Sequence, residues 1–216
     1  YLCPPPWESR EPSVGYWSSP DRGRHHLLEI WPEVRNAVPN ATLRIFYHLK
    51  RFVDQVKDDP MLGEIQWRGR VLDTLSTPFP PGVTDYGRTP RGVLAGHQMA
   101  CRVMAYPFDP ISFTEGFGTA ILEAVAAGCT VVARPADALP EVYGESVQWI
   151  RPEGGSIADR GWKVRFTDAL IQALQNPPPE DQRRAAQNLV ARRTWDATGD
   201  ALEHAANAAI HAARQR

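Results

Sequence analysis

Residues 115–133 read Glu-Gly-Phe-Gly-Thr-Ala-Ile-Leu-Glu-Ala-Val-Ala-Ala-Gly-Cys-Thr-Val-Val-Ala, and this stretch constrains the fold of the 216-residue chain most tightly. A glycine loop opens an alanine-rich helix, Gly128 closes it, and the β-branched run Cys129–Ala133 follows at once. Glycine after the last helical residue is a helix stop, and a short apolar β-branched run is a buried strand. A helix that feeds directly into such a strand is half a turn of a parallel α/β sheet.

The same residues carry chemistry. Free N–H groups at the helix start, near Phe117, Gly118 and Thr119, form a seat for phosphate, and the glycines let main chain approach a ligand closely. Glu115 precedes the helix and Glu123 lies inside it, so a helical span separates the two carboxylates by about 12 Å along its axis. A glycosidase pair lies about 5–9.5 Å apart because both groups address one bond. The wider spacing suits two acids holding opposite ends of a long ligand with phosphate between them, the shape of a nucleoside-diphosphate sugar. The plainer reading is an amphipathic helix whose glutamates face solvent.

The rest of the chain alternates in the same way. Residues 1–12, with Pro4-Pro5-Pro6, read as an extended linker. Ser13–Ser18 is a short strand and Ser18-Ser-Pro-Asp-Arg-Gly23 a loop. Leu27, Leu28, Trp31, Val34 and Val38 recur at helical spacing, predicting a helix over 23–38 that Pro39-Asn40 stops. Strands follow at 42–47, 83–86, 102–106, 130–133 and 146–150. Helices are expected at 61–76, at 90–100 with Thr89 as cap and Pro90 in the first turn, and at 165–175, 180–194 and 196–214. This is an α/β doubly wound parallel sheet with C-terminal helices, occupying 13–216 as one domain, and its ligands bind beyond the carboxyl ends of the strands. The Ser18–Gly23 and Pro107–Gly118 loops both fall there.

Composition excludes several classes. A net charge of −1 with no basic run argues against nucleic acid, and no apolar run approaches the ~18 residues of a membrane span. The 20 prolines gather in 4–20, 78–90 and 177–179, as punctuation between elements. Cys101 and Cys129 each open an apolar strand, the setting of buried reduced thiols, so a reducing, cytoplasmic location is expected. His25-His26 is adjacent rather than spaced for a metal and reads as a surface or helix-start pair; no metal site is expected. Trp31, Trp67, Trp149, Trp162 and Trp195 read as core or interface anchors, and Arg183-Arg184 and Arg192-Arg193 as a solvated helix face. Tyr1-Leu-Cys-Pro-Pro-Pro-Trp7 reads as the interior of a longer polypeptide without a leader.

Tyr106-Pro107, Glu115-Gly-Phe-Gly118, Glu123-Ala-Val-Ala-Ala-Gly128, Val131-Val-Ala133 and Leu139-Pro-Glu141, in this order and spacing, resemble the paired-glutamate signature of retaining glycosyltransferases of the GT-B architecture (group 1, family 4-like). The resemblance is to their C-terminal, donor-binding Rossmann-like domain and covers nearly the whole chain. Arg22-Gly23 is similar to the basic residue–Gly step opening that domain's first helix, Asp85-Tyr-Gly-Arg88 to its strand-end glycine, and Thr194-Trp-Asp196 to the start of its terminal helix. The resemblance implies Glu115 at the sugar and reacting centre, in the catalytic position. It implies Gly116, Phe117 and Gly118 offering N–H groups to sugar or phosphate, Thr119 at the diphosphate, and Glu123 on the ribose hydroxyls. Arg22 would neutralise the leaving diphosphate, the part a metal plays elsewhere, with no cofactor beyond the nucleotide-sugar substrate. One departure is visible: the family usually has an arginine at the end of the first strand, where Trp17-Ser18-Ser19 stand here; Arg24 reads either as a compensating cation or as a solvated helix residue.

The acceptor site of that architecture belongs to an N-terminal domain outside these 216 residues. The chain alone is therefore expected to bind a nucleotide sugar weakly and to transfer nothing. Its exposed Ala201–Ala213 helix is expected to support some self-association, and the full-length protein to be cytoplasmic or peripheral at a membrane. Two readings compete with a hexosyltransferase-type enzyme: a non-catalytic nucleotide-sugar-binding or interaction module, and a nucleotide-sugar epimerase or phosphorylase-like enzyme of the same fold. The latter needs other acid/base groups or a pyridoxal lysine, and Lys50, Lys57 and Lys163 occupy no convincing active-site loop.

Overall fold

The computed structural model describes residues 4–47, 78–108, 115–151, 153 and 161–214. The helix expected over 61–76, Trp67, Lys50 and Lys57 lie outside the described residues. Six strands form one parallel sheet: β1 (Glu11–Tyr16), β2 (Thr42–Ile45), β3 (Val83–Asp85), β4 (Cys101–Tyr106), β5 (Thr130–Ala133) and β6 (Gln148–Trp149). Their order is β3-β2-β1-β4-β5-β6. Two wings diverge from the central β1–β4 pair, so the connections leaving β1 and β4 go to opposite faces. A crevice opens at the carboxyl ends of these two strands, as in doubly wound, Rossmann-like sheets.

Alternation along the strands splits the core in two. Val14, Tyr16, Leu43, Ile45, Val103, Ala105 and Val132 face α1 (Arg24–Ala37) and α5 (Gly161–Gln175). Met104, Tyr106, Val131 and Ala133 face the other layer, built from α2 (Arg91–Ala100), α3 (Thr119–Ala126), α4 (Leu139–Tyr143) and α6 (Glu180–Ala191). A last helix, α7 (Trp195–Arg214), follows. In α1 the expected stripe is buried, with Leu27, Trp31 and Val34 fully enclosed. This burial outweighs Pro32, whose missing N–H would otherwise disfavour a helix interior.

Several expectations are corrected. The segment before β1 is not a loose linker over its described part: Trp7–Ser9 form a 3-10 turn, Trp7 is buried, and Arg102 lies 4.2 Å over its ring. Arg10 donates to the Cys101 and Gly128 carbonyls at 3.2 and 2.9 Å, pinning the segment under the sheet. Thr89 does not cap α2. Pro90 holds the cap position without a side-chain bond, and Thr89 Oγ1 turns back to the Tyr86 carbonyl. His25 and His26 stand at the start of α1, as one reading had it, but are buried rather than on the surface. Among the described tryptophans Trp31 and Trp162 are core, Trp149 is half-buried, and Trp195 is 90% exposed. With Leu202 and Ile210 it forms an apolar stripe on α7. Cys101 and Cys129 are free and buried.

One cluster ties α1 to α5. His26 packs edge-on against Trp162 at 5.0 Å, and Glu29 takes an ion pair from Lys163 while lying 3.7 Å from His26 Nδ1. The His26 contact, with the Lys163 bond, lowers the Glu29 carboxyl from 4.5 to about 2. A carboxyl depressed in the folded state stabilises it above the unfolded value and loses that contribution as pH falls. Between pH 4.5 and 2 the urea midpoint of the wild type is expected to fall more steeply than that of Glu29→Gln. Parallel slopes would remove Glu29 from the acid response.

Candidate functional site

The crevice is built from the loops after β1 and β4 and from the start of α3. Beyond β1, the Tyr16 hydroxyl donates to the Ser19 carbonyl at 2.5 Å, and Pro20–Arg22 form a 3-10 turn. Gly23 ends this turn at φ 96°, and a Cβ there would lie 2.0 Å from the Pro107 carbonyl oxygen. Only glycine satisfies both the left-handed backbone and this approach. The β1–α1 and β4–α3 loops are thereby pressed together, and Arg22 is carried to the mouth of the crevice.

Arg22 there meets Glu115: its Nε lies 3.4 Å from Glu115 Oε2 and its Nη1 3.0 Å from Asp21 Oδ2, with the guanidinium 5.2 Å over the Phe108 ring. Glu115 Oε2 also accepts from the Tyr106 hydroxyl at 2.7 Å, and Oε1 from the Gly118 N–H at 3.0 Å. Burial, with the Glu115 carboxylate, pushes the Tyr106 phenol well above its ordinary value, so it acts as donor. The Glu115 N–H donates to Asp137 Oδ2 at 2.8 Å, and Asp137 stands at φ 40° to reach it. Glu115 is thus oriented from four sides.

Gly118 caps α3 in the left-handed region at φ 62°, buried against Leu139, while Gly116, Phe117 and Thr119 are exposed at the rim. Its carbonyl accepts from the Ile121 and Leu122 N–H groups. The first-turn N–H groups of Thr119 and Ala120 have no intrahelical acceptor and lie at the positive end of the helix dipole. Glu123, one turn on, is half-buried and accepts from Gln98 Nε2 of α2 at 2.9 Å. The structure therefore brings Arg22, Glu115 and Gly118 into direct contact and sets Gly116, Phe117 and Thr119 beside them. Glu123 is held separately against α2. A pair of acids addressing different neighbours, with a cation and free amides at one of them, suits an extended anionic ligand.

Trp17, one of the three residues standing in the neighbourhood where the family pattern has a cation, is buried and donates its indole N–H to the Ala120 carbonyl at 2.9 Å, bracing the first turn of α3. Arg24 is no solvated helix residue: it is 1% exposed and bonded to Asp85 Oδ2 at 3.1 Å, joining α1 to the end of β3. Sequence reasoning missed Asp137, Gln98 and Tyr143, whose hydroxyl donates to the Phe117 carbonyl at 2.7 Å. It also missed Arg193, which donates to the Val142 carbonyl at 2.6 Å rather than merely decorating a solvated face. A cavity of about 680 Å³ at the β6 edge, lined among others by Trp149, Arg151 and Arg183, includes none of these residues. Among the described residues no group of three or more His, Cys, Asp or Glu is arranged for a metal, and no helix is long and apolar enough to cross a membrane.

The family model described as "Glycosyl transferases group 1" matches residues 12–176. The chain belongs to this family. The D-inositol 3-phosphate glycosyltransferase of Corynebacterium diphtheriae is 32% identical over 117 residues, 54% of this chain and 25% of that protein. The fold matches the pneumococcal O-GlcNAc transferase GtfA, solved with UDP and GlcNAc, at a TM-score of 0.57 and 13% identity, over 85% of this chain and 33% of that one. It also matches the C-terminal domain of LpcC, a group 1 glycosyl transferase of Francisella tularensis, at a TM-score of 0.52 and 18% identity, over 83% of this chain and 84% of that one. The group 1 chain thus spans a quarter of its curated relative and about a third of GtfA, and has the Rossmann-like half of the GT-B architecture.

Gly23→Ala is expected to cost at least ~1–2 kcal/mol from the left-handed backbone alone, with further loss from displacing Pro107. A chemical-denaturation midpoint equal to the wild type's would rule out the close approach of the two loops.

Proposed function

We propose that this chain is the donor-binding half of a retaining glycosyltransferase. It holds a nucleoside-diphosphate sugar and, joined to an N-terminal acceptor-binding domain, transfers the sugar with retention at the anomeric carbon. The observation that carries this reading is the meeting of Arg22, Glu115 and the α3 N-terminus at the β1–β4 crevice. In the reaction the bond between the anomeric carbon and the diphosphate oxygen breaks, its electron pair staying on the diphosphate, while the acceptor's hydroxyl oxygen bonds to the anomeric carbon and its proton passes to the departing diphosphate oxygen. Arg22 and the Thr119 and Ala120 amides stabilise that charge without a metal. Glu115 lies beside the anomeric carbon, with Gly116 and Phe117 lining the sugar side and Glu123 on the ribose hydroxyls, where it exchanges Gln98 for ligand. Because Arg22 is paired with Glu115 in the free chain, the diphosphate competes with Glu115 for that guanidinium. The sugar is a hexose in this reading, and the protein works in the cytoplasm or peripherally at a membrane.

A second reading is a non-catalytic nucleotide-sugar-binding module. It is favoured by Trp17, which stands in the neighbourhood of the family pattern's second cation for the diphosphate and whose indole N–H is used on α3.

The first test is thermal stabilisation by UDP-, GDP- and ADP-glucose, since a ligand bound only by the folded state raises its melting temperature. One of them is expected to stabilise the wild type, and Arg22→Ala to weaken that binding roughly 10–100-fold by loss of a charge-assisted contact. Absence of any shift across the panel would sink the donor reading. In the protein carrying its N-terminal domain, Glu115→Gln is expected to lose turnover while still binding donor. Unchanged function in that variant favours the binding module.

A further inference from the structure

We infer that Tyr143, the last residue of α4, is a positioning residue for the proposed donor site: it holds the Phe117–Gly118 peptide plane and through it Glu115 and the first turn of α3. In a trans peptide the C=O and N–H point in opposite directions across one rigid plane. Here both ends are gripped. The Tyr143 hydroxyl donates to the Phe117 carbonyl at 2.7 Å, with the Gly118 carbonyl 3.2 Å away, while the Gly118 N–H donates to Glu115 Oε1 at 3.0 Å. Rotation of the plane would break both bonds together. It would also move Gly118 out of the left-handed conformation that starts α3.

The gripping group is itself fixed. Tyr143 is 1% exposed, and burial pushes its phenol up to about 12, so it remains a proton donor over the working range. Its ring packs at 6.2 Å from that of Phe117, and the Arg193 guanidinium lies 5.9 Å from Tyr143 and 6.0 Å from Phe117. Arg193 is anchored in turn by its bond to the Val142 carbonyl. At the other end of α4, Leu139 fills the space a Cβ on Gly118 would need, at 2.7 Å. The glycine loop is therefore set from behind by both ends of α4 and by the α6–α7 junction. With the Gly118 N–H turned inward to Glu115, the outward donors are those of Thr119 and Ala120. Tyr143 in this way decides which amides face a ligand and where Glu115 points.

Tyr143→Phe keeps the ring and removes only the hydroxyl. Amide hydrogen exchange of the ligand-free 216-residue chain, followed by NMR, tests the grip without any ligand. The Gly118 amide is expected to exchange about five- to tenfold faster in the variant, with Val103 and Val131 in the central strands within about twofold of wild type. Unchanged exchange at Gly118 overturns the inference. So does a uniform acceleration through the strands, which marks a merely structural role. UDP-glucose supplies the second arm wherever the wild type binds it: the variant is expected to bind about tenfold more weakly, and equal affinity overturns the link to the site. If no sugar nucleotide stabilises the wild type, the donor reading falls while the exchange measurement still decides the role of Tyr143.

Discussion

The crevice depends on one main-chain contact. Gly23 packs so closely on the Pro107 carbonyl that no side chain fits between the β1–α1 and β4–α3 loops. These loops leave the central pair of a doubly wound sheet in opposite directions, and without a close approach they would splay. Held together, they bring a cation from one and a carboxylate from the other within 3.4 Å. The ion pair of Glu115 with Arg22 follows from that juxtaposition, while Tyr143 and Leu139 of α4 set Gly118 and the start of α3 from behind.

Around this contact the chain uses arginine as a structural tie. Arg10 gathers the carbonyls of Cys101 and Gly128 under the sheet, and Arg24 fastens α1 to the end of β3 through Asp85. Arg44 pairs with Glu11 across β1 and β2, and Arg134 donates to the Phe108 carbonyl while lying over Trp162. A planar guanidinium reaches several acceptors at once and stays charged when buried, which a lysine does not do as well. Arg22 differs in address rather than in kind, because its partner is the carboxylate at the crevice mouth.

Much of the fold was legible because its signals are local. Alternating apolar runs placed all six strands, and the stripe Leu27–Val38 placed α1 almost to its ends. Where the reading slipped, a non-local contact decided. β1 begins at Glu11 rather than Ser13, since Pro12 sits where the β1–β4 register is irregular and needs no ladder donor there. The supposed linker is ordered by Arg10 and Trp7 reaching partners about 90 residues away or more. Of the two readings of Trp195, core or interface anchor, the structure excludes the core, since the side chain stands almost wholly exposed. At the site, Glu115, Gly118 and Glu123 were visible from spacing and helix-start chemistry, and Arg22 from the resemblance of Arg22-Gly23 to the family's basic residue–Gly step. Asp137, Gln98 and Tyr143 were not, because each acts on a main-chain or carboxylate group more than 20 residues away.

The sequence by itself determined the layered parallel sheet, the glycine turns on either side of the crevice, and which acids and cation the loops carry. These follow from backbone preferences and side-chain periodicity that act over a few residues. Only the tertiary structure decided how those groups are engaged: Arg22 on Glu115, Glu123 on Gln98, Trp17 on α3 and Tyr143 behind the glycine loop. A hydrogen bond is fixed by distance and direction between elements, and a linear pattern carries neither until the sheet has brought the loops together.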